Sequence, residues 1–71
     1  MTVTKTIDLS GTSTQSLEAA IDEAISRASM TIKDVEEFEV ERISGSVSDG
    51  GVREYRVWLK VTFVVKETLH E

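Results

Sequence analysis

The sequence predicts an α+β fold with the element order β-α-β-β, in which one helix lies on a three-stranded antiparallel sheet. One segment has apolar residues at the three- and four-residue intervals of a helix, and the segments around it alternate with the period of two that is typical of strands. Asp49 and Gly50 supply the positive φ angles that a tight hairpin needs between the last two strands. Those two strands are therefore predicted to be antiparallel neighbours.

The length of the chain limits this fold to a single domain over residues 1–71. The composition, with 39% hydrophobic and 30% charged residues, is that of a soluble globular protein. Because the chain has no cysteine, disulfides and thiolate metal sites are excluded. Oligomerisation is then the remaining way to stabilise so small a core.

The charge of the chain bears on its partners. Thirteen acidic residues against eight basic ones give a net charge of -5, which repels nucleic acid and anionic membranes. There is no run of about eighteen apolar residues, and no apolar run of signal-peptide length at the N-terminus. A cytoplasmic location is therefore expected.

Strand one is predicted over Val3–Leu9, where apolar and polar residues alternate. Gly11 is expected to form a turn with a positive φ, and Thr12 or Ser13 to cap the helix that follows. The helix is expected to end near residues 33–34. It carries an apolar stripe that predicts packing on the sheet, made of Leu17, Ala20, Ile21, Ala24, Ile25, Ala28 and Ile32.

Strand two is predicted from Glu36 onward, with apolar residues on one face and glutamates on the other. The apolar positions change parity after Arg42, which one extra residue near Glu41 and Arg42, a β-bulge, explains. The bulge and the hairpin turn together fix the register of strands two and three. The predicted facing pairs are Glu39 with Lys60, Phe38 with Val61, and Val40 with Leu59.

Strand three, Val52–Lys66, has six consecutive apolar residues on one face, from Tyr55 to Val65. It spans roughly 50 Å at about 3.3 Å per residue, whereas a compact chain of this length has a radius of gyration of about 11 Å. Part of the strand is therefore expected to pair or pack with another copy. Trp58, on the opposite face, favours the same conclusion because large aromatic residues concentrate at interfaces.

Five short segments carry a family resemblance. They are Ile7-Asp8-Leu9-Ser10-Gly11-Thr12-Ser13, Leu17-Glu18-Ala19-Ala20-Ile21 with Ala28, Phe38-Glu39-Val40, Glu54-Tyr55-Arg56-Val57 and Val61-Thr62-Phe63. In this order and at this spacing, the chain resembles the dodecins over essentially its whole length. The resemblance implies a sheet partly wrapped around the helix and assembly of copies into a hollow dodecamer.

The resemblance also implies that flavins, FMN or riboflavin, bind in pairs between subunits and are stored there without turnover. The flavin site of the family uses a tryptophan just before the Phe38 position and a glutamine just after the Tyr55 position. This chain has Glu37 and Arg56 at those places. Because a carboxylate has no π-face to stack on a flavin, we expect flavin binding to be weakened or altered.

The candidate cofactor-binding residues are therefore Glu37, Arg56 and Trp58. Trp58 lies two residues after Arg56 and so on the same face of the strand, where a shifted ligand can stack on it. Packing of Trp58 against a neighbouring subunit is the alternative. Arg56 suits a phosphate or carboxylate, or an ion pair with a nearby glutamate.

Glu37, Glu39 and Glu41 form a carboxylate row that, repeated around a symmetry axis, offers oxygen ligands to Ca²⁺. The resemblance permits this interpretation, because some dodecin-like proteins without the tryptophan bind calcium. The alternative is a solvated face whose glutamates are neutralised by Arg42, Arg56 and Lys60.

Enzyme signatures are not found, and the only histidine, His70, is one residue from the C-terminus. The sequence therefore predicts a non-enzymatic, self-assembling dodecamer that binds or stores a small ligand, which by resemblance is a flavin. The alternative is a calcium-binding or purely structural shell without flavin.

Overall fold

The predicted element order is confirmed over residues 2–66, the part of the chain that a computed structural model describes; His70 lies outside it. β1 spans Val3–Ser13, α1 spans Leu17–Thr31, β2 spans Val35–Ser48 and β3 spans Gly51–Val65. The strands form one antiparallel sheet in the order β1-β3-β2, so β3 is central and the other two are edges. No helix in this range is long and apolar enough to cross a membrane.

The core lies between α1 and one face of β3. Val57, Leu59 and Val61 are completely buried there and pack against Ala20 and Ala24. Because alanine side chains are short, the helix backbone comes close to the sheet. The predicted apolar stripe is confirmed, and partly buried residues complete the core around it: Ile7, Leu9, Leu17, Ile21, Ile25 and Val35.

The hairpin between β2 and β3 has the predicted register, and the predicted bulge appears as a register shift between Val40 and Arg42. Asp49 has φ 53° and Gly50 has φ 80°, so both central turn residues are left-handed, as a tight hairpin requires. Two further register shifts lie near the ends of β2. The confirmed facing pairs are Glu39 with Lys60, Phe38 with Val61, and Val40 with Leu59.

The junction between β1 and α1 differs from the prediction, which was wrong about Gly11. Gly11 is a buried strand residue that pairs with Val57, and β1 continues beyond it to Ser13. A Cβ at this position would lie 2.5 Å from the carbonyl oxygen of Ala20. Glycine is therefore needed because the helix approaches closely, and not because the backbone turns with a positive φ.

The helix cap is Ser16, and not Thr12 or Ser13 as predicted. The Ser16 hydroxyl oxygen accepts a hydrogen bond from the backbone N–H of Ala19 at 3.0 Å. Ser13 Oγ instead accepts from the backbone N–H of Gln15 at 2.9 Å, which stabilises the turn before the helix. Because the turn begins only after Ser13, strand one extends to Ser13 and is longer than the predicted Val3–Leu9.

The end of the helix also comes earlier than predicted, at Thr31, and Lys33 lies beyond the last turn. Ile32 is already extended, and Asp34 has the left-handed φ of 63° that a short polar side chain tolerates. The carbonyl of Asp34 accepts a hydrogen bond from the N–H of Val64 at 3.1 Å. The chain must leave the helix here in order to meet the sheet and begin β2.

The sheet extends well beyond the helix, as the length of strand three predicted. The chain measures 61 × 20 × 12 Å and has a radius of gyration of 15.3 Å. Since α1 packs against β1 and β3, the apolar side chains of β2 beyond Val35 lack its cover. We call the exposed residues Phe38, Val40 and Ile43 the hairpin stripe; they pair with Val61, Leu59 and Val57 and so extend the face of the core.

We expect Gly11→Ala to lower the free energy of unfolding by about 1–3 kcal/mol, the usual effect of overpacking. The added methyl group would meet the Ala20 carbonyl and force the helix away from the sheet. Gly51→Ala is the matched control, because no atom lies within 4 Å of the place that its Cβ would occupy. Urea unfolding at one fixed protomer concentration measures both changes. Equal stability of the two variants would contradict the close helix–sheet contact.

Candidate functional site

The sheet face that points away from α1, which we call the outer face, carries the predicted site residues. Side chains alternate between faces along a strand, and residues paired across strands share a face. On β3 the outer residues alternate with the three buried core residues; they are Arg56, Trp58, Lys60 and Thr62.

Trp58 lies in the middle strand of the outer face, between Ser10 of β1 and Arg42 of β2. Its ring is approached by two guanidinium groups: Cζ of Arg42 is 4.1 Å from the ring centroid and Cζ of Arg56 is 5.9 Å away. A cation–π contact at an exposed site contributes about 0.5–1 kcal/mol. Arg42 therefore belongs to the same group as the predicted residues Arg56 and Trp58.

Arg56 forms an ion pair with a neighbouring glutamate, which is one of the two roles predicted for it. Its Nη2 lies 3.4 Å from Oε1 of Glu54, two residues earlier on the same strand. Both side chains are substantially exposed, so the pair contributes about 0–1 kcal/mol to stability. So weak a contact leaves Arg56 able to turn toward a ligand.

Glu37 lies on the outer face but apart from Trp58. It pairs with Thr62, four residues further along β3 than Trp58. At about 3.3 Å per residue, the two levels of the sheet are roughly 13 Å apart. The structure therefore brings together Arg56 and Trp58, and leaves Glu37 separate from them.

The carboxylate row of Glu37, Glu39 and Glu41 follows the edge strand β2, and all three residues are exposed. Glu39 is opposite Lys60 as predicted, but the ion pair with Lys60 is made by Glu41, whose Oε2 lies 3.4 Å from Lys60 Nζ. The bulge beside Glu41 explains this difference, because the extra residue changes which side chain reaches Lys60. Within residues 2–66 of one copy, no group of three acidic or histidine side chains is close enough to hold a metal ion.

A groove of about 680 Å³ lies where the end of β1 meets α1, and no sequence pattern predicted it. Its strand side includes Gly11 and Ser13, where β1 runs beside α1. An ion pair between Arg27 Nε and Glu23 Oε2, 3.0 Å long, lies on its helix side. The groove is open, and polar and apolar residues both line it.

Comparison with known proteins finds similarity over nearly the whole chain. The family model described as Dodecin matches residues 3–66. A curated relative, the dodecin of Thermus thermophilus, is 46% identical over 66 residues, which cover 93% of this chain and 96% of that protein.

Solved structures agree with this match. An arginine-to-alanine variant of the T. thermophilus dodecin has a TM-score of 0.90 and 44% identity, and covers 96% of this chain and 100% of its own. The dodecin from Streptomyces davaonensis has a TM-score of 0.86 and 33% identity, with coverages of 93% and 97%. A calcium dodecin from Mycobacterium tuberculosis, described as a calcium-chelating antigen, has a TM-score of 0.77 and 33% identity, with coverages of 97% and 99%.

Proposed function

The chain belongs to the dodecin family, and we propose that it forms a non-enzymatic, hollow dodecamer that stores a flavin, FMN or riboflavin, in pockets between subunits. The observation that carries this proposal is the extent of the family match, which includes the sheet, the helix and the long hairpin. The proposal also includes a cytoplasmic location. It further includes the absence of nucleic-acid and membrane partners, which rests on the acidic charge of the chain.

Assembly is supported by the hairpin stripe. Phe38, Val40 and Ile43 are 46%, 36% and 55% exposed in one copy, although they continue the apolar face of the core. A contiguous apolar face that its own chain does not cover marks an interaction surface. We propose that a second copy covers this stripe, because each copy has the same exposed apolar face and two such faces can pack against each other.

We expect Ile43→Lys to shift the particle toward smaller species, because an ammonium group in the interface loses its water without gaining a partner. Met30→Lys is the matched control: Met30 is 77% exposed on the helix, and the substitution changes the net charge equally. Size-exclusion chromatography with light scattering measures the mass of each particle. Identical masses for both variants would show that the hairpin stripe is not buried between copies.

The position of Trp58 implies that the flavin pocket is shifted or weakened in this chain. The stacking position of the family holds Glu37, which is exposed and cannot stack. The aromatic surface of this outer face lies instead at Trp58, roughly 13 Å from the level of Glu37 in the sheet. Arg42 already covers part of the Trp58 ring, so a flavin must either displace this guanidinium or stack on it.

We expect the double variant Glu37→Trp with Arg56→Gln to bind riboflavin about tenfold more tightly than the natural chain. The new indole restores the stacking surface, whose contribution beyond area burial is about 0.5–1.5 kcal/mol per contact, and further area is buried with it. Quenching of flavin fluorescence measures the affinity.

Glu39→Trp with Arg56→Gln is the control for this experiment. Residue 39 lies on the same outer face, two residues along β2, so the control adds an indole at the wrong place. The site assignment is contradicted if both double variants bind riboflavin equally, or if neither differs from the natural chain. Purified natural protein that is colourless and does not respond to FMN or riboflavin would overturn the flavin proposal itself.

Calcium binding is the second candidate function, and the similarity to the calcium dodecin of M. tuberculosis favours it. Glu37, Glu39 and Glu41 offer exposed oxygen ligands, which Ca²⁺ prefers. Since one copy does not bring three carboxylates close enough together within residues 2–66, the site would need carboxylates from several copies around an axis.

If calcium is the ligand, we expect it to raise the Tm of chelator-treated protein by several degrees, because it binds only the folded assembly. Glu37→Gln with Glu39→Gln should abolish this increase. Glu18→Gln with Asp22→Asn, on the helix, removes the same charge and should preserve it. Differential scanning calorimetry measures the shift, and an increase that is lost equally in both variants would indicate non-specific screening.

A further inference from the structure

The side chain of Arg42 is held against Trp58 but has no hydrogen-bond acceptor among residues 2–66. Its Cζ lies 4.1 Å from the ring centroid, and none of the hydrogen bonds or ion pairs found within residues 2–66 involves it. A guanidinium carries five N–H donors in one plane, and stacking on a ring leaves these in-plane donors unused. Glu41 is next to Arg42 in sequence, yet it pairs with Lys60 instead.

Arg56 brings a second guanidinium to the same ring, at 5.9 Å from the centroid. Glu54 engages only its Nη2, at 3.4 Å, so the other nitrogens stay available. Apart from Arg42, which pairs with Trp58, the outer-face partners on the flanking strands are neutral hydroxyls: Ser10 pairs with Trp58, and Thr12 and Ser44 pair with Arg56. No carboxylate of residues 2–66 is therefore paired across strands with Trp58 or Arg56, although the whole chain has a net charge of -5.

We infer that Arg42 and Arg56, placed around Trp58, form an oxyanion site that takes a phosphate group carried on a ligand with a planar ring. A phosphate suits two guanidinium groups because it has three terminal oxygens, whereas the two oxygens of a carboxylate are satisfied by one group. The planar ring follows from the indole and the guanidinium, which both stack on aromatic faces.

Within the proposed flavin function, on which this step rests, the site distinguishes two ligands with the same ring. FMN carries a phosphate monoester and riboflavin does not, so the arginines are expected to favour FMN. The binding of inorganic phosphate alone does not depend on the flavin function. Comparing the free ion with the two flavins therefore separates the oxyanion site from the flavin pocket.

The experiment uses the assembled full-length protein and the fluorescence of Trp58, which is the only tryptophan in the chain. FMN, riboflavin and inorganic phosphate are titrated separately at low ionic strength, and phosphate is then tested as a competitor of each flavin. Arg42→Gln is the test variant and Arg42→Lys is a second one, which keeps the charge but loses the planar group. Arg53→Gln, an exposed arginine of the same hairpin, is the control with the same charge change.

We expect FMN to bind at least about tenfold more tightly than riboflavin, as charge-assisted hydrogen bonds allow. Arg42→Gln should remove most of this preference and Arg42→Lys part of it, whereas Arg53→Gln should leave it unchanged. Inorganic phosphate should compete with FMN and not with riboflavin. Added salt should weaken FMN binding more than riboflavin binding.

Equal affinities for FMN and riboflavin, unaffected by Arg42→Gln, would overturn the oxyanion site and leave the flavin function standing. Phosphate-dependent emission of Trp58 that Arg42→Gln abolishes, in protein that binds neither flavin, would support the oxyanion site and overturn the flavin function. No response to any of the three probes would overturn both.

Discussion

A strand advances about 3.3 Å per residue and a helix about 1.5 Å, and this mismatch determines most features of the chain. Both β3 and α1 contain 15 residues. The helix can therefore cover less than half of the strand on which it packs. Val57, Leu59 and Val61 lie under the helix and are completely buried. The helix also leaves the neighbouring strand β2 uncovered, because it packs on β1 and β3, and Ile43, which pairs with Val57, is 55% exposed. The uncovered part of the sheet is the surface that we propose other copies cover.

The two faces of the sheet have separate roles because side chains alternate along each strand. The face toward α1 supplies the core, where Gly11 and the short alanines allow the helix to lie close to the sheet. The outer face carries charge and the only tryptophan, and it contributes little to packing within one copy. Changes at Arg42, Arg56 or Glu37 can therefore alter ligand chemistry while the fold remains supported by the opposite face.

Hydrophobic period and turn chemistry were sufficient to predict the element order, the bulge and the pairing of Glu39 with Lys60, since each depends on local sequence. The role of Gly11 was not predictable. A sequence does not distinguish a glycine that adopts a positive φ from a glycine that makes room for a helix. The cap was ambiguous because hydroxyl residues fill most positions from 12 to 16. The stacking of Arg42 on Trp58 and the ion pair of Glu41 depend on side-chain geometry across strands, beside a bulge. The proposed pockets between copies depend on contacts with neighbouring subunits, which hydrophobic period and turn residues do not encode.

The irregular edge of β2 has a consequence for how growth of the particle ends. Three register shifts interrupt its pairing with β3, and exposed glutamates follow its length. A bent edge is a poor template for a further strand, because its free N–H and C=O groups do not form a straight row. The glutamates add to this effect, because two such edges would repel each other. Addition of copies edge to edge, the route to cross-β fibrils, is therefore disfavoured. In this way the exposed hairpin stripe can be covered by other copies without the growth of an open fibre.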